Sequence, residues 1–269
     1  MMTSSSPIAQ AVADYVATML AFPDTFRGQQ LRGGGPVAEF EMLLAERTGF
    51  PYCLATSSAT SALLATALAL ELDGKLIAVE IGAWEGSLGA LEAVGADIEE
   101  VESLITAPLD GMSAILATDR PGKRHDAVAL RARCDELDIL YFEDTGWLPG
   151  ITGPSDVRSL ADIQVISFGP GKPLCLGEGG AILCRDEEFY HRCVASSQHP
   201  ERIIAEGGTQ FARPPMNARI HPLAAVIGLS LLRQEIGRFG DEKELLDGQV
   251  FPPAKSIQTR GMGSNPVCA

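Results

Sequence analysis

The chain has 269 residues, of which 46% are hydrophobic and 21% are charged, so it can bury a large core and is not a disordered protein. At roughly 150 residues per domain, this length corresponds to one or two domains. The 35 acidic side chains outnumber the 21 basic ones and give a formal net charge of −14. This charge argues against a nucleic-acid backbone or an anionic membrane as a partner, because both are bound largely through Lys and Arg.

The cysteines and the N-terminal residues indicate a cytoplasmic location. No two cysteines form a C-x-x-C pair, and several stand in apolar, strand-like runs, which predicts reduced and buried thiols. The six positions are Cys53, Cys134, Cys175, Cys184, Cys193 and Cys268. Residues 1–7 carry no basic side chain, and the apolar stretch 11–22 is too short to span a bilayer and is interrupted by Asp14.

Hydrophobic spacing predicts a surface helix over 7–22, a glycine turn at 33–35 and a helix over 37–48 after Pro36. Strands and helices then alternate. Strands are predicted over 52–56, 76–80, 98–101, 114–118, 139–143, 163–168 and 181–184. Helices are predicted between them over 61–71, 84–94 and 126–137, with a last one over 222–238.

Several of these strands are continuous apolar runs, which is typical of strands buried on both faces. The pattern therefore predicts an α/β fold with a mostly parallel seven-stranded sheet and helices on both sides. We expect one domain over residues 1–240 and a polar, loop-like tail over 241–269.

Residues at the carboxyl ends of the strands are candidates for a site, because open α/β sheets bind ligands there. Ser58 and Thr60 follow the first strand at a helix start, where free backbone N–H groups attract phosphate, although an ordinary helix cap would use the same residue types. Asp144 follows the fifth strand, and it could cap a turn or pair with a protonated ring nitrogen.

Lys172 follows the sixth strand on a loop constrained by glycine and proline. A crowded amine at such a position suits Schiff-base chemistry, whereas the alternative is a solvated loop lysine. A nucleotide-binding P-loop is excluded because Ile166 stands where its first Gly is required, and Pro173 stands where Ser or Thr must follow the Lys.

A phosphate site, an acid and a loop lysine, in this chain order, are what pyridoxal 5'-phosphate requires. At these residues the chain resembles the DegT–DnrJ–StrS aminotransferases, the sugar-aminotransferase branch of the fold-type-I pyridoxal-phosphate enzymes, from about residue 34 to 235. The most specific match is Ser-Phe-Gly-Pro-Gly-Lys at 167–172 with Gly-Glu-Gly-Gly at 177–180. Three further segments carry the resemblance: residues 35–41 with 52–63, residues 143–144, and residues 217–227.

The resemblance implies a three-layer large domain and a role for each matching residue. Lys172 would be the catalytic residue that holds the cofactor as a Schiff base, and Asp144 would meet the ring nitrogen. Trp84 would stack on the ring, although a core position for this indole is the alternative. The cofactor phosphate would be held by Ser58, Ala59, Thr60 and Ser167, and by Asn217 from the neighbouring subunit, which implies a homodimer with shared active sites.

The chain also departs from the family. Ala59 stands where the family usually has Gly, and Trp147 stands beside the cofactor where the family has Gln or His, so a more apolar pocket is expected. The match fades near Gly240, which implies that the family's small C-terminal domain is largely absent.

The resemblance implies a biosynthetic aminotransferase that moves an amino group from Glu or Gln to a keto acceptor such as a keto-sugar or cyclitol. Retention of Lys172 favours this over the family's dehydratases, in which His replaces that Lys. Two alternatives stay open: another pyridoxal-phosphate reaction of the lyase or condensing type, and a non-catalytic subunit that needs a partner. No metal site is predicted, because the four histidines lack ligand spacing and are expected on loops or the surface: His125, His191, His199 and His221.

Overall fold

The computed structural model describes residues 6–119, 125–145, 159–208 and 216–239, and within the last range it describes side chains as far as residue 234. These residues form an α/β structure around one sheet of seven strands. The strands are β1 (Tyr52–Thr56), β2 (Leu76–Glu80), β3 (Asp97–Val101), β4 (Ala114–Thr118), β5 (Leu140–Thr145), β6 (Ile163–Ser167) and β7 (Gly180–Cys184). All seven predicted strands are confirmed, with small shifts at their ends.

The sheet has the order β1-β7-β6-β5-β4-β2-β3. Strand β7 runs antiparallel to both of its neighbours, and every other pair is parallel. The carboxyl ends of the other six strands therefore share one edge of the sheet, and β7 begins at that same edge. The prediction of a mostly parallel sheet is confirmed.

The helices of the described ranges are α1 (Pro7–Ala21), α2 (Pro23–Leu31), α3 (Pro36–Thr48), α4 (Ala59–Ala69), α5 (Glu85–Glu92), α6 (Ala127–Leu137), α7 (Glu187–Ser197), α8 (Pro200–Ala205) and α9 (Pro222–Phe239). They include those predicted from the sequence, and α2, α7 and α8 were not predicted. The helix α1 has no buried residue and packs on α9, so the predicted surface position of the first helix is confirmed.

Helices cover both faces of the sheet and make three layers. On one face α4, α5 and α7 enclose a core that includes Leu63 and Phe142. On the other face α3 and α9 pack around Phe40 near β1 and β7, and α6 packs near β4 and β5 around Tyr141. Alternate residues of β5 therefore point to opposite layers. The side chains of the neighbouring Glu143 and Asp144 thus lie on opposite faces of the sheet.

Four of the six cysteines are buried as predicted, but Cys175 is exposed on the loop after β6, so the expectation of a buried thiol is wrong there. Cys268, Trp147 and the predicted tail over 241–269 lie outside the described residues. Among the helices that the structure describes, none has the length and hydropathy needed to cross a membrane.

Candidate active site

The candidate site lies at the sheet edge where the parallel strands end. Strand register brings these ends together: Gly180 pairs with Thr56 of β1 on one side and with Ser167 of β6 on the other. Further along the same edge, Thr118 of β4 pairs with Asp144 of β5. Residues far apart in sequence therefore meet at this edge.

The helix α4 begins at this edge, immediately after β1. Ser58 is its N-cap: the Ser58 hydroxyl accepts a hydrogen bond from the Ser61 backbone N–H at 3.0 Å, and the Ser61 hydroxyl accepts one from the Ser58 N–H at 3.0 Å. Such a capping box fixes the direction of the first turn. The structure thus places a helix N-terminus, with its partial positive charge, at the carboxyl end of β1, and it also gives Ser58 the ordinary capping role.

Gly180 allows β7 to approach the start of α4 closely. A Cβ atom at Gly180 would lie 2.5 Å from the Ala59 backbone nitrogen and 2.7 Å from the Ser58 carbonyl oxygen. Both are backbone atoms, so neither can move away by a side-chain rotation. Only glycine therefore permits this contact between the start of β7 and the first turn of α4.

We expect Gly180→Ala to lower the free energy of unfolding by about 1–3 kcal/mol, as overpacking of a closely packed site does. Gly169→Ala is the matched control, because a Cβ there would meet its nearest heavy atom, Ser167 Oγ, at an ordinary 3.6 Å. Denaturant unfolding of the two variants measures the difference. Equal midpoints for both variants would contradict the predicted clash.

Asp144 receives a short hydrogen bond from the Ser87 hydroxyl of α5, and Ser87 is completely buried. Burial raises the pKa of the Asp144 carboxyl; the bond from Ser87 and the positive charge of Lys172 lower it, and the charge of Asp119 raises it. On balance the pKa of Asp144 lies above its ordinary value, so Asp144 is a partly desolvated carboxyl group, held by a hydroxyl and within electrostatic reach of Lys172.

Lys172 lies on the turn that follows β6, where its backbone N–H donates to the Gly169 carbonyl at 3.2 Å. Gly171 adopts a φ of 79°, a left-handed conformation that favours glycine. The Lys172 side chain is exposed. Of the two alternatives that the sequence allowed, a crowded amine and a solvated loop lysine, the structure therefore has the solvated loop lysine.

Trp84 precedes α5, and its side chain is 72% exposed, so the alternative interpretation of a core tryptophan is wrong. The indole lies over Gly86: a Cβ atom there would be 2.8 Å from the Trp84 Nε1 atom and 3.4 Å from the Thr60 hydroxyl oxygen. Trp84 and the first turn of α4 therefore face each other across a glycine, with an aromatic surface open to a ligand.

Asn217 also lies close to this edge. The Ser57 backbone N–H donates to the Ala218 carbonyl at 2.7 Å, and Arg219 forms a β-bridge with Thr56. The Arg219 Nε–H donates to Asn217 Oδ1 at 2.9 Å, and the Asn217 side chain is exposed. Of the nine residues predicted for the site, eight lie along this edge, and Trp147 lies outside the described residues.

Two features were not predicted, one within the site and one behind it. Within the site, Ser87 supports Asp144, and the only signal for it in the sequence was a hydroxyl three residues after Trp84. Behind the site, His125 lies on the loop before α6, as expected, but its side chain is only 11% exposed and lies between Asp119 and Glu143, which was not expected. Within the residues that the structure describes, no cluster of His, Cys, Asp and Glu could hold a metal ion.

A family model described as the DegT/DnrJ/EryC1/StrS aminotransferase family matches residues 16–243, which is most of the chain. This chain belongs to the DegT/DnrJ/EryC1/StrS aminotransferase family. The match includes every site residue named above, and the resemblance found at the sequence motifs is thereby confirmed.

Two relatives of known activity align with about three quarters or more of this chain. The UDP-4-amino-4,6-dideoxy-N-acetyl-beta-L-altrosamine transaminase of Campylobacter jejuni is 24% identical over 79% of this chain, which covers 63% of that protein. The 3-oxo-glucose-6-phosphate:glutamate aminotransferase of Bacillus subtilis is 27% identical over 74% of this chain and 47% of its own length. The chain thus spans less than two thirds of the length of these two relatives.

Solved structures support the fold. An aminotransferase from Psychrobacter cryohalolentis superposes with a TM-score of 0.70 at 20% identity, covering 87% of this chain and 62% of that one. NtdA from Bacillus subtilis, with bound cofactor PMP, gives a TM-score of 0.68 at 20% identity and covers 90% of this chain and 59% of that one. The expected architecture of a pyridoxal-phosphate aminotransferase is confirmed for the described part of the chain.

Proposed function

We propose that this family member is a pyridoxal-phosphate-dependent aminotransferase that moves an amino group from an amino acid such as Glu or Gln to a keto-sugar or related keto acceptor in a biosynthetic pathway. One observation carries the proposal: a helix N-terminus, a half-buried carboxyl group and a loop lysine meet at one sheet edge. Family membership supports it, as do relatives whose names specify amino-sugar transaminases.

The residues present fit this cofactor. The capped first turn of α4 presents a helix N-terminus at the sheet edge, where the helix dipole favours an anionic group such as phosphate. Thr118, the register partner of Asp144, has a buried hydroxyl oxygen that finds no hydrogen-bond partner among the described residues, so a polar atom at this part of the edge is open to a ligand. These features suit a ligand with an anionic end and a polar ring.

Each residue has a defined part in the proposal. Asp144, oriented by Ser87, would keep the ring nitrogen protonated, and Trp84 would cover the ring. The phosphate would be held by Ser58, Ala59, Thr60 and Ser167. When bound, the cofactor supplies an electron sink for a carbanion, and Lys172 would hold it covalently and then move a proton at the substrate carbon.

The assembly and domain division are also proposed. Residues 1–240 would form the cofactor-binding domain and residues 241–269 a tail, in a cytoplasmic two-fold homodimer. The exposed Asn217 supports the dimer, because its side-chain NH2 group could donate to the phosphate in a neighbouring subunit while its oxygen accepts from Arg219. Light scattering tests this: a monomer with the cofactor fully bound would contradict the dimer.

The reaction is tested by single-turnover mixing of the cofactor-loaded protein with Glu, Gln and a panel of other amino acids. We expect about one equivalent of the matching 2-oxo acid per bound cofactor, measured by mass spectrometry, and apoprotein serves as the control. Release of ammonia, carbon dioxide or an aldehyde without the 2-oxo acid would instead support the lyase or condensing alternative. No change with any amino acid would support the partner-dependent subunit.

A further inference from the structure

Behind the candidate site, on the opposite face of β5, lies a cluster of four titratable side chains that the proposed function does not use. The His125 Nδ1 atom lies 2.9 Å from Asp119 Oδ1, and its Nε2 atom lies 2.9 Å from Glu143 Oε1. Tyr141 donates its hydroxyl to the same Glu143 oxygen at 2.5 Å, and its ring contacts the imidazole edge-on. We name these four residues the His125 cluster.

The imidazole of His125 lies between two carboxylates: its Nε2 atom is hydrogen-bonded to Glu143, and its Nδ1 atom lies at ion-pair distance from Asp119 without a well-aligned hydrogen bond. Two carboxylates this close favour the protonated imidazolium. Burial lowers the pKa of His125, but its contacts with the charged Asp119 and Glu143 more than offset this and raise it to about 10. The other charged group near the cluster, Arg131 of α6, lies over the Tyr141 ring and is itself paired with Asp162 and Asp135 at 3.0 Å each.

The His125 cluster is joined to the site through Asp119 and Glu143. Glu143 directly precedes Asp144 in β5, and Asp119 follows Thr118, the register partner of Asp144. The Asp119 backbone N–H also points to the Asp144 carbonyl at 3.4 Å. Two carboxylates therefore flank Asp144, and His125 is the cation that holds both of them.

We propose that His125 is a positioning residue for Asp144: its imidazolium ties the ends of β4 and β5 together and neutralises the carboxylates beside Asp144, so that Asp144 meets the cofactor ring as a carboxylate. This inference rests on the proposed function for the identity of the ring. Asp144 itself faces Ser87, Lys172 and Asp119, and among these Asp119 is the group whose charge opposes its ionisation. His125 acts by compensating that charge.

The test compares His125→Gln, Asp119→Asn and the double variant. In apoprotein, the Asp144 carboxyl is titrated by carbon-13 NMR, with Asp144→Asn used to identify its signal. We expect His125→Gln to move this titration about one pH unit upward, Asp119→Asn to move it downward, and the double variant to return close to the wild type. If His125 only stabilises the fold, the double variant will be no better than His125→Gln.

The same variants are loaded with pyridoxal phosphate, and its dissociation constant is measured by fluorescence. We expect about tenfold weaker binding in His125→Gln and recovery in the double variant, since one pH unit corresponds to a factor of ten. An unchanged Asp144 titration would overturn the inference even where the cofactor binds. Absence of binding in the wild type would overturn the proposed function, and the apoprotein titration would still report on His125. Should His125→Gln not fold, a titration unmoved in Asp119→Asn would also overturn the inference.

Thermal unfolding of the apoprotein gives an independent pH signature. Because the pKa of His125 is higher in the folded protein than its ordinary 6.5, its stabilisation is complete below about pH 6.5 and is lost as the pH rises through 10. The melting temperature of the wild type should therefore exceed that of His125→Gln most at pH 6 and least near pH 10. A difference that does not vary with pH would overturn the imidazolium role.

Discussion

Replacing Lys172 with Arg should abolish covalent retention of pyridoxal phosphate and lower the rate of amino transfer by at least about a hundredfold, because proton transfer by a positioned group contributes about 10²- to 10⁴-fold. Arg keeps the positive charge near Asp144, but a guanidinium stays protonated in proteins and can act neither as a nucleophile nor as a proton acceptor. The substitution therefore separates the chemistry of the amine from its charge.

Lys75→Arg is the matched control for this experiment. Lys75 is the other lysine among the described residues, and it precedes β2 at the opposite edge of the sheet from Lys172. Borohydride reduction followed by peptide mapping should label Lys172 in the wild type and in Lys75→Arg, and should label nothing in Lys172→Arg. A label on another lysine, or full activity of Lys172→Arg, would show that the assignment is wrong.

Most of the strands were predicted because they are short apolar runs that can be recognised without knowing the partner strand; the polar β3, with the sequence Asp-Ile-Glu-Glu-Val, is the exception. The direction of β7 was not predicted, although a signal was present. Residues 168–179 connect β6 to β7 without a helix among them, and a parallel crossover needs a dozen or more residues, usually with a helix. The connection has twelve residues, the minimum for a parallel crossover, and it holds no helix, so this glycine-rich segment favours an antiparallel return, which brings Gly180 to the start of α4.

The helices α2, α7 and α8 were missed because their sequences are short or mixed in polarity. In α7, Asp186 caps the first turn by accepting from the Phe189 N–H at 2.6 Å, and two acidic residues follow the cap. This acidic start was a usable signal. In contrast, α8 has six residues, and its position depends on contacts that Arg202 makes with distant parts of the chain.

Within the candidate site, the sequence predicted residues that belong to local motifs and missed those that act through tertiary contacts. Ser58 and Lys172 stand in recognisable short segments. Ser87 meets Asp144 across 57 residues, and His125 meets Glu143 across 18 residues, so neither contact has a fixed spacing that could be read from the chain. Such pairs become visible only when strand register is known.

Arg202→Met should have the largest effect on stability, lowering the free energy of unfolding by about 3–5 kcal/mol, as removal of one partner from a buried ion pair does. Arg202 is 2% exposed and makes two parallel hydrogen bonds to Glu41, at 3.0 and 2.9 Å. Its Nε–H donates to Glu206 at 2.8 Å, and Glu41 also accepts from the Ala55 N–H at 2.8 Å. The guanidinium thus joins α8 to α3, and Glu41 joins α3 to β1.

Methionine fills a similar volume to arginine but leaves the carboxylate of Glu41 buried without its cation, so the loss comes from an unpaired charge and not from a cavity. The double variant Arg202→Met with Glu41→Gln should therefore recover more than half of the lost energy, because the amide oxygen can still accept from Ala55. Arg233→Met is the matched control: its pair with Glu39, at 2.8 Å, is exposed and should be worth at most about 1 kcal/mol. Urea unfolding of the four proteins measures these differences. If the double variant is as unstable as Arg202→Met alone, the packing of the guanidinium, and not its charge, supports this side of the sheet.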